Sequence, residues 1–327
     1  MSAVPSPVDA CVDDVLAASA RIAPHIQVTP VLRSRSIDAM AGCALHLKAE
    51  HLQRAGAFKF RGACNAVWSL DARAASRGVV THSSGNHGAA LALAALSRGI
   101  VCHVVVPEGA VATKLAAIAA YGAVLHRCAP TLAAREQTCE QVRLATGATL
   151  VHPYADPRVI AGQGTAVLEL LQAAGPLDDI VVPVGGGGLA AGTALALQAT
   201  APATRLVLAE PAGADDTRRS LQAGRRVDDL VPETVCDGLR GLLGLPNFDI
   251  LSRHRSNGHA VEVITVDDAA TVAAQRLVAV RAKQLVEPSS AIALAAVLAS
   301  PVRFAGRRVG IVLSGGNVDP DRLPWCA

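Results

Sequence analysis

Four segments of this chain carry residue types that can do chemistry, and most of them stand directly after an apolar run. The first is Gly185-Gly186-Gly187-Gly188, between Ile180-Val181-Val182-Pro183-Val184 and the helix-like Leu189-Ala190-Ala191-Gly192-Thr193-Ala194-Leu195. Glycine lets the backbone come close to a ligand, and the free N–H groups of a helix's first turn point at it along the favourable end of the dipole. A phosphate-bearing cofactor is the ligand class this order implies. The segment also fits G-x-G-x-x-A, and Glu210 follows the next apolar run, Arg205–Ala209, near where dinucleotide enzymes place a ribose-binding acid. A nicotinamide oxidoreductase is therefore a second reading, and a tight turn for close packing a third.

Lys59 stands in Gly56-Ala57-Phe58-Lys59-Phe60-Arg61-Gly62, beside clustered phenylalanines. An ammonium near apolar rings loses hydration, which lowers its pKa and makes it a better imine-forming nucleophile. The alternative is a lysine lying along a helix end, with Arg61 the solvated partner of Glu50. In Thr81-His82-Ser83-Ser84-Gly85-Asn86-His87-Gly88, two hydroxyls, an amide and N–H groups suit a carboxylate; helix capping by Ser84 or Asn86 is the alternative. Ser314-Gly315-Gly316-Asn317-Val318-Asp319 repeats the pattern after the last apolar run. Loops at the carboxyl ends of parallel strands converge on one crevice, which is where such proteins bind ligands.

The elements that must position these segments alternate along the chain. Ala44–Lys48, Gly78–His82, Val101–Val106, Ala123–His126, Ile180–Val184, Arg205–Ala209, Val261–Val266 and Arg308–Leu313 read as strands. His87–Arg98, Val111–Tyr121, Leu132–Thr146, Ala161–Ala174, Leu189–Thr200, Ala269–Gln284 and Ser289–Ala299 read as helices. This alternation predicts an α/β fold with parallel-rich sheets flanked by helices. Two domains are expected: residues 1–77 and 151–327 as a large one, and 78–150 as a small inserted one.

Composition narrows the function classes. The chain has 327 residues, enough for a full core, with 51% hydrophobic residues but only two Trp, two Tyr and four Phe. Its core must be aliphatic. A formal net charge of +3 with interspersed signs, and so few stacking rings, argues against nucleic acid. The start, Met1-Ser2-Ala3-Val4-Pro5-Ser6-Pro7-Val8-Asp9, lacks the basic and apolar regions of a secretory signal. The uncharged run Ile180–Ala199 contains a proline and the four glycines, so it reads as buried strand plus helix rather than a membrane span. Eight cysteines, scattered without zinc-like spacing, read as reduced thiols. A cytoplasmic location without membrane contact is expected.

Taken together, Lys48-x-Glu50-x-x-Gln53-x-x-Gly56-Ala57-Phe58-Lys59-x-Arg61-Gly62-Ala63, Ser83-Ser84-Gly85-Asn86-His87-Gly88, the glycine tetrad and Ser314-Gly315-Gly316-Asn317-Val318-Asp319 resemble the fold-type II pyridoxal-phosphate enzymes. The serine racemase and serine/threonine dehydratase group is the most similar, in order from about Thr29 to Asp319. The resemblance implies a two-domain homodimer with the tryptophan synthase β-like fold, binding pyridoxal 5'-phosphate. It makes Lys59 the Schiff-base lysine and the base on one face of the substrate, with Ser84 the proton donor and acceptor on the other. Phe58 and Gly238 would flank the cofactor ring. Gly185, Gly186, Gly187, Gly188 and Leu189 would hold the phosphate, Asn86 the ring hydroxyl oxygen, and Ser314 the pyridine nitrogen. Ser83, Ser84, Asn86 and His87 would clasp the substrate carboxylate, with Arg135 as a cationic helper. Glu210, Asp216 and the carbonyl of Ala214 would bind Mg²⁺, Ca²⁺ or Mn²⁺ away from the active site; an acidic helix start is the alternative for these acids. Because the chain stops soon after Asp319, the regulatory domain of larger dehydratases is not expected.

Pairing the pyridine nitrogen with a neutral hydroxyl makes a weaker electron sink, which favours quick β-elimination over transamination. The expected reaction is dehydration and deamination of a small β-hydroxy amino acid such as L-serine or L-threonine to a 2-oxo acid and ammonia, with racemisation beside it. A serine racemase, or a dehydratase of threo-3-hydroxyaspartate, is the alternative within the family. One departure stands out: Gly241 and Leu242 occupy positions where racemase-like members often place hydroxyl residues, so a larger or less polar β-substituent is expected to fit.

Overall fold

The computed structural model describes residues 10–110 and 112–325, so the readings made on Met1–Asp9 and on Val111 lie outside the described residues. Among the described residues ten strands alternate with helices: β1 Val31–Leu32, β2 Ala44–Lys48, β3 Val79–Thr81, β4 Cys102–Pro107, β5 Val124–Cys128, β6 Thr149–Leu150, β7 Asp179–Pro183, β8 Arg205–Pro211, β9 Val261–Val266 and β10 Arg308–Val312. The larger sheet runs β1-β2-β10-β7-β8-β9 and is parallel except for β1, which pairs antiparallel with β2. The smaller sheet runs β5-β4-β3-β6 and is parallel throughout. All four of its strands fall between residues 79 and 150.

Alternation within the strands explains the layers. Ile180 and Val182 face one core of the large sheet, while Val181 between them faces the other. Leu206 and Leu208 divide from Val207 and Ala209 in the same way. Both faces are apolar because helices cover both, as a parallel sheet requires. Val79, Val104 and Val106 line a third core that the small sheet shares with Phe60, Ala63 and Val67 of the helix Lys59–Trp68. Among the described residues no helix is long and apolar enough to cross a membrane.

Glycines let three helices approach closely enough to act as one rigid layer. A Cβ on Gly162 would lie 2.6 Å from the Cα of Gly62, where the helix Pro157–Ala174 crosses the helix Lys59–Trp68. On its other flank, a Cβ on Gly164 would lie 2.5 Å from the carbonyl oxygen of Gly192, in the helix Gly188–Thr200. Thus one helix braces both the element that begins with Lys59 and the element that begins at the glycine tetrad.

The expected helix Ala269–Gln284 is shorter than its periodicity implies. It runs Asp268–Leu277, widens into a π-helical turn at Val278–Ala282, and ends on Lys283 in the left-handed region at φ +59°. Helices not expected from the sequence include Val12–Ile22, Arg35–Ala41 and Leu245–Ser256, while Asp216–Ala223 is the helix of the acidic-start alternative.

Candidate active site

Lys59 opens its helix, and a buried charge network holds that helix from behind. Arg61 donates to Glu50 (Nε–Oε2 2.7 Å, Nη2–Oε1 2.8 Å) and to Glu169 (Nη1–Oε1 2.7 Å, Nη2–Oε2 2.7 Å). Lys48 donates to Glu169 at 2.6 Å and to the carbonyl of Thr29 at 2.7 Å. Arg61, Lys48 and Glu50 are buried. Arg61 is therefore the partner of Glu50, as one reading of the sequence held, but a desolvated one. Two cations against two anions, with all five Arg61 N–H groups paired, is the condition under which such charges tolerate burial.

The Lys59 amine points the other way. Nζ donates to the carbonyl of Pro153 at 2.9 Å and lies 5.2 Å from the centre of the Phe58 ring. Burial pushes its pKa down from 10.5 to about 8, which makes the neutral, nucleophilic amine far more available near neutral pH than in an ordinary lysine.

Residues 153–154 connect this amine to the glycine tetrad. A Cβ on Gly186 would lie 2.4 Å from the Tyr154 ring, and one on Gly185 2.7 Å from the Cα of Leu239. Gly187 is in the left-handed region at φ +87° and precedes the helix Gly188–Thr200. The first-turn N–H groups of that helix have no carbonyl within it to bond, so they face the crevice as anion donors. A phosphate group fits this cradle, and side chains at the tetrad would fill it.

The opposite wall is tied together at Ser289. The Phe58 N–H donates to the Ser314 carbonyl at 2.9 Å. Ser314 Oγ donates to the Ser289 carbonyl at 3.5 Å, and the Gly238 N–H donates to Ser289 Oγ at 3.0 Å. The structure thus brings Phe58, Ser314 and Gly238 to one locus, with Leu239 carrying the contact on to Gly185.

Ser83 and Ser84 are half-buried in the loop after β3. The helix after them begins at Asn86, its N-cap is Gly85, and no side chain caps it. Capping therefore does not account for Ser84 or Asn86. Asn86 Nδ2 donates to Glu287 (2.8 and 3.1 Å to the two oxygens). The ring of His87 is turned inward to the Val151 carbonyl at 3.3 Å, and burial followed by the Lys59 charge holds its pKa well below 6.5. What His87 offers a carboxylate is its first-turn N–H rather than an imidazolium. Arg135 lies on the helix Leu132–Thr146, half-exposed, where its charge is felt by His82 and Tyr154.

Glu210 and Asp216 lie beneath the cradle. Glu210 is fully buried and accepts from the N–H groups of Thr217 (2.7 Å) and Arg218 (3.0 Å). Fully enclosed in the protein, it does not reach a ribose, and the dinucleotide reading fails here. Asp216 accepts from the Leu243 N–H at 2.7 Å, and Leu243 is the side chain a Cβ on Gly187 would strike. Desolvation raises the pKa of Glu210 to about 8 and of Asp216 to about 6, and each acid has another carboxylate nearby that adds to the rise. Two under-compensated buried acids beside the buried Ala214 are a setting a hard cation suits. Among the described residues no cluster of three or more His, Cys, Asp or Glu side chains is arranged for a metal.

Sequence reasoning missed Glu287, Ser289 and Tyr154. Tyr154 is the neighbour of Gly241 as well as of the tetrad: a Cβ on Gly241 would lie 3.4 Å from its ring. Beside it, His152 makes an edge contact with the Tyr154 ring, 4.6 Å between centres, and burial pushes its pKa down to about 4. Nothing in the local sequence marks these residues; a lone Tyr after His-Pro and a lone Glu before Pro carry no spacing signal.

The chain is similar to known proteins over nearly its whole length. The family model described as "Pyridoxal-phosphate dependent enzyme" matches residues 22–315. The chain is 47% identical over 313 residues to the beta-hydroxyaspartate dehydratase of Paracoccus denitrificans, covering 96% of this chain and 98% of that one. It is 46% identical over 304 residues to a serine racemase of Arabidopsis thaliana, covering 91% and 90%. The solved structure of maize serine racemase superposes with a TM-score of 0.91 at 43% identity, covering 96% and 95%.

Proposed function

The chain belongs to the pyridoxal-phosphate dependent enzymes, and on that premise we propose that it dehydrates and deaminates a small β-hydroxy amino acid, such as L-serine or L-threonine, to a 2-oxo acid and ammonia. The Lys59 amine carries this reading: desolvated, facing away from its own helix's charge network, and joined through Pro153 and Tyr154 to an anion cradle. Bound pyridoxal phosphate would supply an electron sink for charge developing at the substrate Cα. Phe58, Lys59, Asn86, Gly238 and Ser314 would hold it, with its phosphate on Gly185–Gly188 and Leu189.

Lys59 takes the Cα proton from its face of the substrate, and its depressed pKa makes it a base near neutral pH. Ser84 exchanges a proton at the opposite face, which adds racemisation. Ser83, Asn86 and the His87 N–H orient the α-carboxylate. A second reading takes 3-hydroxyaspartate as substrate, with Arg135 the candidate partner of the second carboxylate, although Glu136 beside it acts on His82 and Tyr154 in the opposite sense. The beta-hydroxyaspartate dehydratase activity of the Paracoccus relative accords with it.

We further propose that residues 78–150 form a small domain set into a large one of 1–77 and 151–327. The self-contained smaller sheet supports this division. The working unit is taken as a cytoplasmic homodimer; the described cysteines are all free, as a reducing compartment would keep them. Screening purified holoenzyme against both enantiomers of serine, threonine and 3-hydroxyaspartate, with ammonia and 2-oxo acid measured, tests the assignment. Release of neither product from any of them would overturn it.

A further inference from the structure

Glu287 occupies the position before the helix Pro288–Leu298, where an acid normally caps, yet its side chain makes no cap bond. Its carboxylate is committed elsewhere. It accepts from Asn86 Nδ2 at 2.8 and 3.1 Å and from the Asn317 N–H at 2.9 Å, while only 5% exposed. Asn317 Nδ2 in turn donates to Asn86 Oδ1 at 2.9 Å and to the Ala55 carbonyl at 2.9 Å. Both ends of the Asn86 amide are thereby fixed, and its second Nδ2 hydrogen is the one left for a ligand.

The same hub touches the approach to Lys59. Ala55 and Lys283 are the non-glycine residues in the left-handed region among those described, at φ +57° and +59°. One lies four residues before Lys59 and the other four before Glu287. Such backbone persists only where surrounding contacts over-determine it. Asn317 supplies that at Ala55, and a Cβ on Gly56 would lie 2.3 Å from its Oδ1.

We infer that Glu287 is a positioning residue of this reaction, acting through Asn86 and Asn317 on the cofactor ring and on the Lys59 turn. This rests on the reading that Asn86 faces the bound cofactor. Burial raises the Glu287 pKa to about 7; the donors Asn86 and Asn317 pull it down, and Asp237 and Lys114, themselves an ion pair, act on it in opposite senses. An ionised carboxylate is the form those two donors select.

The test titrates cofactor-free protein with pyridoxal 5'-phosphate, reading visible absorbance, for Glu287→Ala, Glu287→Gln, Asn86→Ala and the Glu287→Ala/Asn86→Ala pair, each checked for folding by circular dichroism. Glu287→Ala should weaken binding about ten- to a hundredfold, the scale of hydrogen bonds to a charged group. Glu287→Gln, which keeps the Oε1 acceptor, should lose less and secures the test if the alanine variant misfolds. In the Asn86→Ala background, Glu287→Ala should add little. Additive losses, or unchanged binding in Glu287→Ala, would overturn the positioning role. Unchanged binding in Asn86→Ala would instead remove the reading of Asn86, and the inference with it.

Discussion

Replacing Gly187 by Ala perturbs the cradle at its most constrained point. The backbone there sits at φ +87°, where an L side chain costs roughly 1–2 kcal/mol. The added Cβ would also lie 2.5 Å from Leu243 Cδ1 and 2.9 Å from Asn247 Cβ, an overpacking worth about 1–3 kcal/mol. Relief requires the turn to shift, and with it the N–H groups aimed at the phosphate. Gly224 is the control: φ +67°, nothing within 4 Å of the added carbon, at the far end of the helix Asp216–Ala223. Gly224→Ala should bear the backbone strain alone. The assay is the urea midpoint with and without pyridoxal phosphate, which at a hundredfold excess over its Kd adds about 2.7 kcal/mol to the native state. Gly224→Ala should lower stability yet keep that increment, while Gly187→Ala should lose most of it. If both variants keep the increment unchanged, the cradle does not hold the cofactor and the reasoning is refuted.

Burial depresses the Lys59 pKa, so the unfolded chain binds this proton more tightly than the native one. Cofactor-free protein should therefore gain stability from this group as pH rises from about 8 toward 10.5; a Lys59→Met variant, melted across that range, should show no such gain. Ser84→Ala should suppress racemisation and D-substrate elimination by about 10²–10⁴-fold while sparing L-substrate elimination, measured with both serine enantiomers; equal losses would make Ser84 a carboxylate-binding residue only. If Glu210 and Asp216 hold a cation, chelation should lower the melting temperature and Mg²⁺ or Mn²⁺ should restore it. Identical melts with and without chelator, on protein shown free of metal, would leave the two acids as buried hydrogen-bond acceptors.

What the sequence made legible follows from range. The helix Leu132–Thr146 is observed with the bounds its periodicity predicts, and β2 and β9 likewise, because local pattern alone defines them. The two-residue strands β1 and β6 are too short to show a period. The helix Lys59–Trp68 was legible only as a helix start at Lys59, because Gly62, a poor helix former, is there for contact with a helix a hundred residues later. In the site, motif residues were visible because glycine, lysine and hydroxyl runs have local meaning. Glu287 was not, since its partner Asn86 is 201 residues away and no spacing rule spans that distance. The inward turn of the His87 ring was not legible either, since it depends on the Val151 carbonyl 64 residues away.

Borohydride reduction of the purified yellow protein, followed by peptide mass spectrometry, tests the central claim most directly. Bleaching of the visible band and a single pyridoxyl-phosphate adduct on Lys59 are expected, with neither in Lys59→Ala. A colourless protein, or an adduct carried by another lysine, would contradict it.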